Sequence, residues 1–275
     1  MLFTSGTTGV PKAVPHTWAQ HRASAEGSRG KLGAFHDDAW LCVIPLYHIG
    51  GLAILVRSML YGTAVVFPAE SNAAGLAREL REGVTLASLV PTMLHRMFEA
   101  DPGLRAEACP ELRAILLGGG AASGRLWQEV RTRHLPVLGT YGLTETCSQI
   151  CTVAIDQLEL HSGTAGTPIA GAEIEIRSTD GVVCLTGMAG EIRVRGSMVT
   201  AGYLDNSRLN AERFDAGWFR TGDIGLIDEN GALSVLARRE DMIVSGGENI
   251  YPSEIEDVLL RYPGVGECVV LGRPD

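Results

Sequence analysis

Short apolar segments alternate with amphipathic segments through the first half of the chain, and this alternation limits the fold more than any other feature. The pattern predicts buried strands over 40–44, 63–67, 86–90, 114–117 and 137–139. It predicts helices over 51–61, 73–81, 91–98 and 126–133, with Pro91 at the first turn of the third. Strands and helices that alternate at this spacing predict an α/β fold with a doubly wound, mostly parallel sheet.

The pattern changes near residue 164, where short segments alternate between apolar and polar positions. They cover 173–177, 191–194, 224–228 and 233–236, with glycine turns between them, and predict a small antiparallel β-barrel subdomain. Beyond residue 239, a strand over 242–244 and a helix over 253–262 predict the start of a small α+β C-terminal domain. Ser253 is the expected N-cap of that helix, with Glu256 as its capping-box partner. The predicted domains are 1–163, 164–238 and 239–275.

The charge distribution argues against two classes of partner. The 275-residue chain has a formal net charge of −9 and no lysine- or arginine-rich run, so neither a nucleic-acid binder nor a membrane-surface binder is expected. No apolar run is long enough to span a bilayer, and no membrane span is predicted. The six cysteines form no CxxC pair and are interpreted as reduced thiols of a cytoplasmic protein.

A loop rich in glycine and hydroxyl side chains lies near residue 1: Thr4-Ser5-Gly6-Thr7-Thr8-Gly9, followed by Val10-Pro11-Lys12. Its glycines let the backbone approach an anion closely, and its hydroxyl and N–H groups can bind phosphate oxygens. Lys12 adds a positive charge. The spacing of the glycines differs from that of a Walker loop. The motif predicts a phosphate-binding loop, and the alternative is a flexible polar segment or an expression leader.

Two more segments follow predicted strands: Leu117-Gly118-Gly119-Gly120-Ala121 and Tyr141-Gly142-Leu143-Thr144-Glu145-Thr146. Ligands of open α/β sheets bind at the carboxyl ends of the strands. The glycine run leaves room for a flat group, and the Tyr141 ring can stack on a base. Glu145 offers the hard oxygen ligands that Mg²⁺ prefers. The alternative for the second segment is an ordinary loop with a surface carboxylate.

Asp223, in Thr221-Gly222-Asp223, and Arg238 lie further along the chain. An aspartate can accept hydrogen bonds from ribose hydroxyls, and an arginine can donate to the same sugar or to a phosphate. Each has a structural alternative, because Gly-Asp is common in turns and arginine is common on surfaces.

Taken in order, these segments resemble the adenylate-forming superfamily of acyl- and aryl-CoA synthetases, adenylation domains and luciferases. The resemblance covers essentially the whole chain. It also includes Pro45-Leu46-Tyr47-His48, Gly190-Glu191-Ile192, Gly202-Tyr203, Trp218-Phe219-Arg220 and Gly246-Gly247-Glu248-Asn249-Ile250-Tyr251-Pro252. It implies an AMP-forming acid–thiol ligase that uses ATP, Mg²⁺ and coenzyme A.

The resemblance assigns roles around the nucleotide. The loop from Thr4 to Lys12 would hold the ATP phosphates, with Lys12 among the catalytic residues, and Glu145 with Thr7 would bind Mg²⁺. The α/β domain would thus bind nucleotide and acyl group. The residues expected around the nucleoside are Gly119, Gly120, Ala121, Tyr141, Gly142 and Thr144 near adenine, and Asp223 and Arg238 at the ribose.

Two further positions acquire roles in the same way. His48 matches a position between the nucleotide and the acyl pocket, which implies substrate positioning or gating; the alternative is a structural histidine. Glu240 matches the hinge about which the C-terminal domain swings between the adenylating and thioester-forming arrangements. Many relatives have Gly-Arg before this hinge, whereas this chain has Ala237-Arg238.

The resemblance also implies a fragment of a longer protein. The N-terminal subdomain of the family would precede the phosphate loop, and most of the C-terminal domain, with the lysine that serves adenylation, would follow residue 275. We therefore expect the parent protein to be an enzyme and the chain alone to be incomplete.

Three segments resemble the o-succinylbenzoate–CoA ligases of menaquinone biosynthesis: His48-Ile49-Gly50-Gly51-Leu52 with Arg57-Ser58, Leu116-Leu117-Gly118-Gly119-Gly120, and Thr144-Glu145-Thr146-Cys147-Ser148-Gln149. The predicted substrate residues are His48, Arg57, Gly118, Ser148 and Gln149. An arginine within an apolar helix needs a carboxylate or solvent, and a substrate with a second carboxylate would supply the former. The alternatives are that Arg57 reaches the surface or pairs with a protein acid.

Other functions stay open on the sequence. A benzoate-type or medium-chain fatty acyl-CoA ligase would have a wholly apolar acyl pocket. A carrier-protein adenylation domain would activate an amino acid, and an inactive truncated homologue is a further alternative. The predicted partners are a small carboxylic acid and coenzyme A, and a homodimer is left open.

Overall fold

The computed structural model describes residues 1–4, 11–245, 248–260, 262, 264–265 and 268–273. The helices are α1 (Trp18–Leu32), α2 (Ile49–Tyr61), α3 (Ala73–Arg81), α4 (Pro91–Ala100), α5 (Gly124–Thr132), α6 (Ser207–Arg213) and α7 (Pro252–Leu259). The strands of the first part are β1 (Leu2–Thr4), β2 (Lys12–Val14), β3 (Ala39–Leu41), β4 (Ala64–Val66), β5 (Leu86–Leu89), β6 (Ala114–Leu117), β7 (Val137–Leu143), β8 (Ser148–Thr152) and β9 (Thr167–Pro168). The later strands are β10 (Ala172–Arg177), β11 (Gly190–Gly196), β12 (Phe214–Asp215), β13 (Trp218–Ile227), β14 (Leu233–Arg238), β15 (Ile243–Ser245) and β16 (Glu248–Ile250).

Seven strands form the main sheet, in the order β4-β3-β5-β6-β7-β8-β9. The pairs from β4 to β7 are parallel, whereas β8 and β9 are added antiparallel. A helix connects each parallel strand to the next in sequence, because parallel neighbours need a long crossover. The predicted mostly parallel α/β sheet is therefore confirmed.

Each face of this sheet has its own core, because successive side chains of a strand point to opposite faces. On one face Leu86, Leu116 and Leu138 pack with Leu32 of α1 and Ile54 of α2. The other face packs against α3, α4 and α5, whose core residues are Leu76, Leu80, Leu94, Met97, Phe98, Leu126, Trp127 and Val130. With helices on both faces, the sheet is doubly wound, and ligands of such sheets bind at the carboxyl ends of the strands.

The second sheet is antiparallel, with the order β10-β11-β13-β12 and β14 also paired to β13. The small antiparallel β-barrel subdomain predicted from the second half of the sequence is confirmed in the form of a curled antiparallel sheet, a half-barrel. Its apolar side chains, among them Ile192 and Phe219, share one core with Tyr141 and Tyr203. The two sheets therefore meet beside the end of β7. The main sheet extends through β9. The predicted domain boundary between residues 163 and 164 stays a prediction.

The C-terminal region contains the β15–β16 hairpin and α7, and it corrects one detail. α7 begins at Pro252 after Tyr251, and Tyr251 makes no side-chain cap. The Ser253 hydroxyl donates instead to Leu236 O, and Glu256 Oε1 accepts from Val270 N. The predicted Ser253–Glu256 capping box was wrong because tertiary contacts use both side chains.

α1 was not predicted, because its buried positions include Ser24, Ala25, Gly27 and Ser28 and so give no stripe of large apolar residues. Small residues let this helix lie close to its neighbours: a Cβ on Gly27 would lie 2.8 Å from Ile169 Cδ1. A sequence signal for the helix start did exist. Thr17 and Gln20 form a complete capping box at its N-terminus.

Candidate active site at the carboxyl edge of the sheet

The predicted Gly118–Ala121 segment leaves β6 at the carboxyl edge, directly beside β7. Gly118 lies against β7 so closely that a Cβ there would be 2.8 Å from Thr140 O. Gly119 has a φ of 75°, which a side chain rarely adopts. Around Gly120 the nearest atom to an added Cβ is Pro91 Cδ at 3.9 Å. Together with exposed Ala121, these residues form an open ledge of backbone.

β7 and β8 form a tight hairpin whose turn carries Glu145. A Cβ on Gly142 would lie 1.7 Å from Ser148 O, so only glycine fits there. The 3₁₀ turn at Thr144–Thr146 follows, and then Cys147 and Ser148 adopt positive φ values of 51° and 94°. Strain of this kind in non-glycine residues is often concentrated at functional sites.

Tyr141, Asp223 and Arg238, predicted separately around the nucleoside, form one hydrogen-bonded chain. The Tyr141 hydroxyl donates to Asp223 Oδ2 at 2.6 Å, and Arg238 Nε lies 3.0 Å from Asp223 Oδ1. The pairing of β13 with β14 places Asp223 opposite Arg238. Burial raises the pKa of the Asp223 carboxyl, an effect that Arg238 and the Tyr141 hydroxyl oppose. Burial and the neighbouring Asp223 raise the pKa of the Tyr141 phenol.

Glu145 lies in the turn between β7 and β8 and is 7% exposed. The Tyr203 hydroxyl donates to its Oε1 at 2.7 Å, and the Thr200 N–H donates to its backbone oxygen at 2.8 Å. No described residue donates a hydrogen bond to Oε2. Lys12 Nζ, at the start of β2, lies 5.8 Å from the centroid of the Tyr203 ring. Lys12 and Glu145 therefore both lie beside Tyr203.

Only the two ends of the predicted phosphate loop belong to the described residues. Thr4 ends β1 and pairs with Lys12 at the start of β2, so the hairpin brings the two ends of the loop together. Ser5, Gly6, Thr7, Thr8 and Gly9 lie outside the described residues, and with them the predicted contribution of Thr7 to the metal site.

His48 lies at the N-terminus of α2, where it is the N-cap residue without a side-chain hydrogen bond to the helix. It is exposed, and its ring stacks beside Tyr47 with centroids 4.7 Å apart. The structural alternative stays open, since exposure alone does not assign a role to this side chain. Its role in substrate positioning stays a prediction.

Arg57 is the most unusual charged residue in the described chain. It is 2% exposed, its Nη2 lies 3.4 Å from Ser148 Oγ, and its guanidinium lies 5.3 Å from the centroid of the Trp40 ring. Its Nε is buried without a hydrogen-bond partner. Burial lowers the pKa of Arg57 to about 10. Arg57 does not reach the surface, so that alternative is wrong. No described carboxylate forms an ion pair with it, which leaves a pairing with a protein acid without support among the described residues.

Gln149 differs from Ser148, its neighbour, in where its side chain lies. Its Nε2 donates to the hydroxyls of Thr152 and Thr140 at 2.6 and 3.3 Å, and the residue is 3% exposed. The side chains of the two predicted substrate residues therefore have different partners. Ser148 contacts Arg57, and Gln149 contacts the threonines of the β7–β8 hairpin.

The predicted hinge residue, Glu240, is exposed in a turn that follows the end of β14. Immediately before it, Arg239 N donates to Gly222 O at 2.8 Å, and the Arg239 side chain lies 3.7 Å from Glu191 Oε1. These contacts fix the chain to the second sheet up to Arg239.

A family model described as AMP-binding enzyme matches residues 1–204. The chain belongs to the AMP-binding enzyme family. This AMP-binding chain is 46% identical to the 2-succinylbenzoate–CoA ligase of Bacillus licheniformis and 44% identical to that of Bacillus cereus. Both alignments cover 100% of the chain and 57% of the relative, so the chain spans little more than half the length of these relatives.

Solved structures of family members share the fold. One is o-succinylbenzoate coenzyme A synthetase from Bacillus subtilis in complex with its acyl-adenylate intermediate, to which this chain is 43% identical with a TM-score of 0.91. The match covers 100% of this chain and 56% of that one. The complex of that synthetase with ATP and magnesium ion gives 0.90 at 43% identity, with 100% and 57% covered. A Mycobacterium tuberculosis fatty acyl CoA synthetase gives 0.79 at 30% identity, with 99% and 54% covered.

One residue of the candidate site, Tyr203, was not predicted as a site residue. The sequence carried a signal for it, because Gly202-Tyr203 belongs to the segments that resemble the family. Its contact with Glu145 spans 58 residues and follows only from the tertiary structure. Among the described residues, no helix combines the length and the apolar character needed to cross a membrane.

Proposed function

We propose that this chain is the nucleotide- and acyl-binding part of an ATP-dependent acid–CoA ligase that acts on 2-succinylbenzoate. The observation that carries the substrate is Arg57: a buried cation without an ion pair among the described residues, beside the turn that carries Glu145. The named relatives support the same reaction. The carboxylate attacks the α-phosphate of ATP and releases pyrophosphate. The thiol of coenzyme A then attacks the acyl carbon of the acyl-adenylate, loses its proton and releases AMP.

The residues of the site fit ATP with Mg²⁺. The Gly118–Ala121 ledge is open where a flat base would lie, and Tyr141 lies beside it on β7. Asp223 and Arg238 offer an acceptor and a donor to ribose hydroxyls. Glu145 has an oxygen that no described donor uses, as a metal ligand requires. When bound, Mg²⁺ would neutralise the phosphate charge that builds up during transfer.

Positioning and charge neutralisation are the tasks left to the protein. Lys12 lies close enough to the ring of Tyr203 to share the anionic region that Glu145 and the phosphates create. Tyr203 holds the Glu145 carboxylate through its hydroxyl. Preorganised groups of this kind lower the barrier because they need no reorientation as charge develops.

Arg57 selects the acid in this proposal. Its Nε and the adjoining Ser148 hydroxyl would donate to one carboxylate of 2-succinylbenzoate, leaving the other carboxylate for adenylation. A buried cation without a counter-ion is costly, and a substrate carboxylate would remove that cost. Plain benzoates and fatty acids have no second carboxylate, so the structure favours them less, although one solved neighbour is a fatty acyl CoA synthetase.

The proposal is tested by an acid screen of the intact protein with ATP, Mg²⁺ and coenzyme A. We expect 2-succinylbenzoate to be used with a kcat/KM about 10²-fold or more above that of benzoate or medium-chain fatty acids, because only it pairs with Arg57. Pyrophosphate release and thioester formation are measured together. Preference for a fatty acid would overturn the substrate assignment. Amino-acid-dependent release without thioester formation would favour a carrier-protein adenylation domain, and inactivity with all acids would favour an inactive homologue.

The hinge is part of the same proposal. Replacing Glu240 by proline in the intact protein should spare adenylate formation and reduce thioester formation roughly tenfold or more, because only the second step needs the domain swing. Single-turnover measurements separate the two half-reactions. Glu229→Pro is a matched control in another exposed turn of the same sheet and should affect neither. Equal losses in both half-reactions would show that Glu240 is not the hinge.

A biosynthetic ligase of this kind would act in menaquinone synthesis in the cytoplasm. Both assignments belong to the proposal, and the acid screen tests the first of them. The homodimer stays a prediction.

A further inference from the structure

His16, His21 and Cys147 form a cluster that the proposed ligase reaction does not use. One ligand atom from each residue lies within 4.8 Å of the other two. His16 and His21 belong to the start of α1, whereas Cys147 follows the turn that carries Glu145. Two imidazoles and a thiol are the donor set of zinc sites and not of magnesium sites.

The helix start explains why the two histidines meet. Thr17 is the N-cap of α1, so His16 and His21 occupy the N′ and N4 positions of the helix. Side chains at these two positions pack against each other, usually as a hydrophobic staple. Here the staple is made of two imidazoles whose rings are perpendicular, with centroids 5.1 Å apart.

The hydrogen bonding of His16 determines which of its nitrogens carries the proton. Nε2 lies 2.7 Å from Thr144 O, and a carbonyl oxygen can only accept, so Nε2 must donate. Nδ1 is therefore the atom with the free lone pair. It is buried and has no hydrogen-bond partner. Metal-binding histidines commonly donate their other N–H to a backbone carbonyl in this way.

Cys147 completes the cluster from a fixed backbone. The residue is 1% exposed, and its carbonyl accepts a hydrogen bond from Ser24 Oγ of α1 at 2.8 Å. A bound ion displaces the proton of the Cys147 thiol to solvent, because thiolate and not thiol is the metal ligand. Zn²⁺ and Co²⁺ bind thiolate tightly enough to do so, whereas Mg²⁺ does not.

We propose that His16 Nδ1, His21 and Cys147 Sγ form a binding site for Zn²⁺ or a similar thiophilic divalent ion, with a fourth position left for water. In a tetrahedral zinc site the ligand atoms lie about 3.5 Å apart, so the cluster must contract by about 1 Å. His21 is only partly buried, which gives the ion a route from solvent. A bound ion would tie α1 to the turn that carries Glu145.

The test uses Co²⁺ as a spectroscopic probe of the intact protein. We expect the intense visible bands of tetrahedral Co²⁺ together with a thiolate-to-cobalt charge-transfer band, retained in excess Mg²⁺. Cys147→Ser should abolish the charge-transfer band, and His16→Gln or His21→Gln should weaken Co²⁺ affinity about tenfold or more. His16→Gln keeps a donor for Thr144 O, and partly buried His21 tolerates exchange, so folding is retained in at least one variant.

Matched controls separate this site from the other thiols and histidines. Cys109→Ser removes a buried thiol on the opposite face of the main sheet, and His95→Gln removes an exposed imidazole. Both should bind Co²⁺ as the parent does. Saturating Zn²⁺ should also raise the melting temperature of the parent by about 5 °C, and not that of Cys147→Ser. A parent without tetrahedral Co²⁺ bands, or bands unchanged in all three ligand variants, would overturn the proposal.

Discussion

Replacing Arg57 by leucine in the intact protein is expected to lower kcat/KM for 2-succinylbenzoate about 10²-fold or more. The carboxylate that pairs with Arg57 would then meet a site from which its buried counter-ion has been removed. Benzoate and fatty acids present no second carboxylate there, so their use should stay unchanged or improve. The measurement is a comparison of kcat/KM across the acids for the two proteins.

The same substitution is expected to make the substrate-free protein more stable. Burial lowers the pKa of Arg57 to about 10, so the folded state disfavours the cation relative to the unfolded state. This destabilisation is fully present below pH 10 and declines only as the pH rises through that value toward the unfolded pKa. At neutral pH, leucine should therefore raise the unfolding free energy by about 1–4 kcal/mol. Denaturant unfolding without substrate measures the change.

Lower activity combined with higher stability is a result that a folding defect cannot produce. Arg22→Leu serves as the control, since Arg22 is an exposed arginine of α1 that pairs with Glu26. It should change neither the substrate preference nor the stability by more than a few tenths of a kcal/mol. A uniform loss of activity toward all acids would make Arg57 a structural residue and contradict its role in substrate selection.

Replacing Glu145 by glutamine is expected to reduce adenylation about 10²-fold or more, because a charged oxygen ligand of the metal is lost. Glutamine keeps the shape of the side chain and an oxygen that can accept from Tyr203, so the fold should be retained. Pyrophosphate release at limiting and at high Mg²⁺ is the measurement. Partial recovery at high Mg²⁺ is expected, since the defect lies in metal binding.

Tyr203→Phe tests whether the carboxylate must be held in position. It removes the hydroxyl that donates to Glu145 Oε1 and leaves the charge, so a loss of about tenfold, mainly in the apparent affinity for Mg²⁺, is expected. Glu129→Gln, a glutamate of α5, is the control for loss of a carboxylate elsewhere. Near-normal pyrophosphate release by Glu145→Gln at limiting Mg²⁺ would remove Glu145 from the metal site.

The residues of the candidate site were named from the sequence because the segments that carry them, taken in order, resemble the adenylate-forming superfamily. The contacts between these residues could not be predicted from the sequence. Tyr141 and Asp223 are 82 residues apart and belong to different sheets, yet one hydrogen bond joins them. The order of the segments predicted that they would serve one ligand, but the Tyr141–Asp223–Arg238 chain depends on how the second sheet packs against the end of β7.

Large apolar residues decided which elements were predicted. The buried strands and α2 to α5 carry such residues at regular spacing, and their existence was predicted correctly, with ends that differ by a few residues. α1 packs through serine, alanine and glycine and was not predicted. Because this helix was not predicted, the His16–His21 contact was not predicted either, since it exists only where a helix begins at Trp18.

By itself the sequence determined the α/β class, the antiparallel second half and the chemistry of each site segment, because strand and helix periodicity and residue type are local properties. Tertiary structure alone decided what surrounds each charge. An arginine in an apolar helix can face solvent, an acid or a pocket, and only packing of α2 against Trp40 and Ser148 leaves Arg57 buried without a described counter-ion. In the same way, Cys147 meets two histidines because residues far apart in sequence are held together by the cores of both sheets. Burial and pairing depend on every neighbour at once, and no local pattern encodes them.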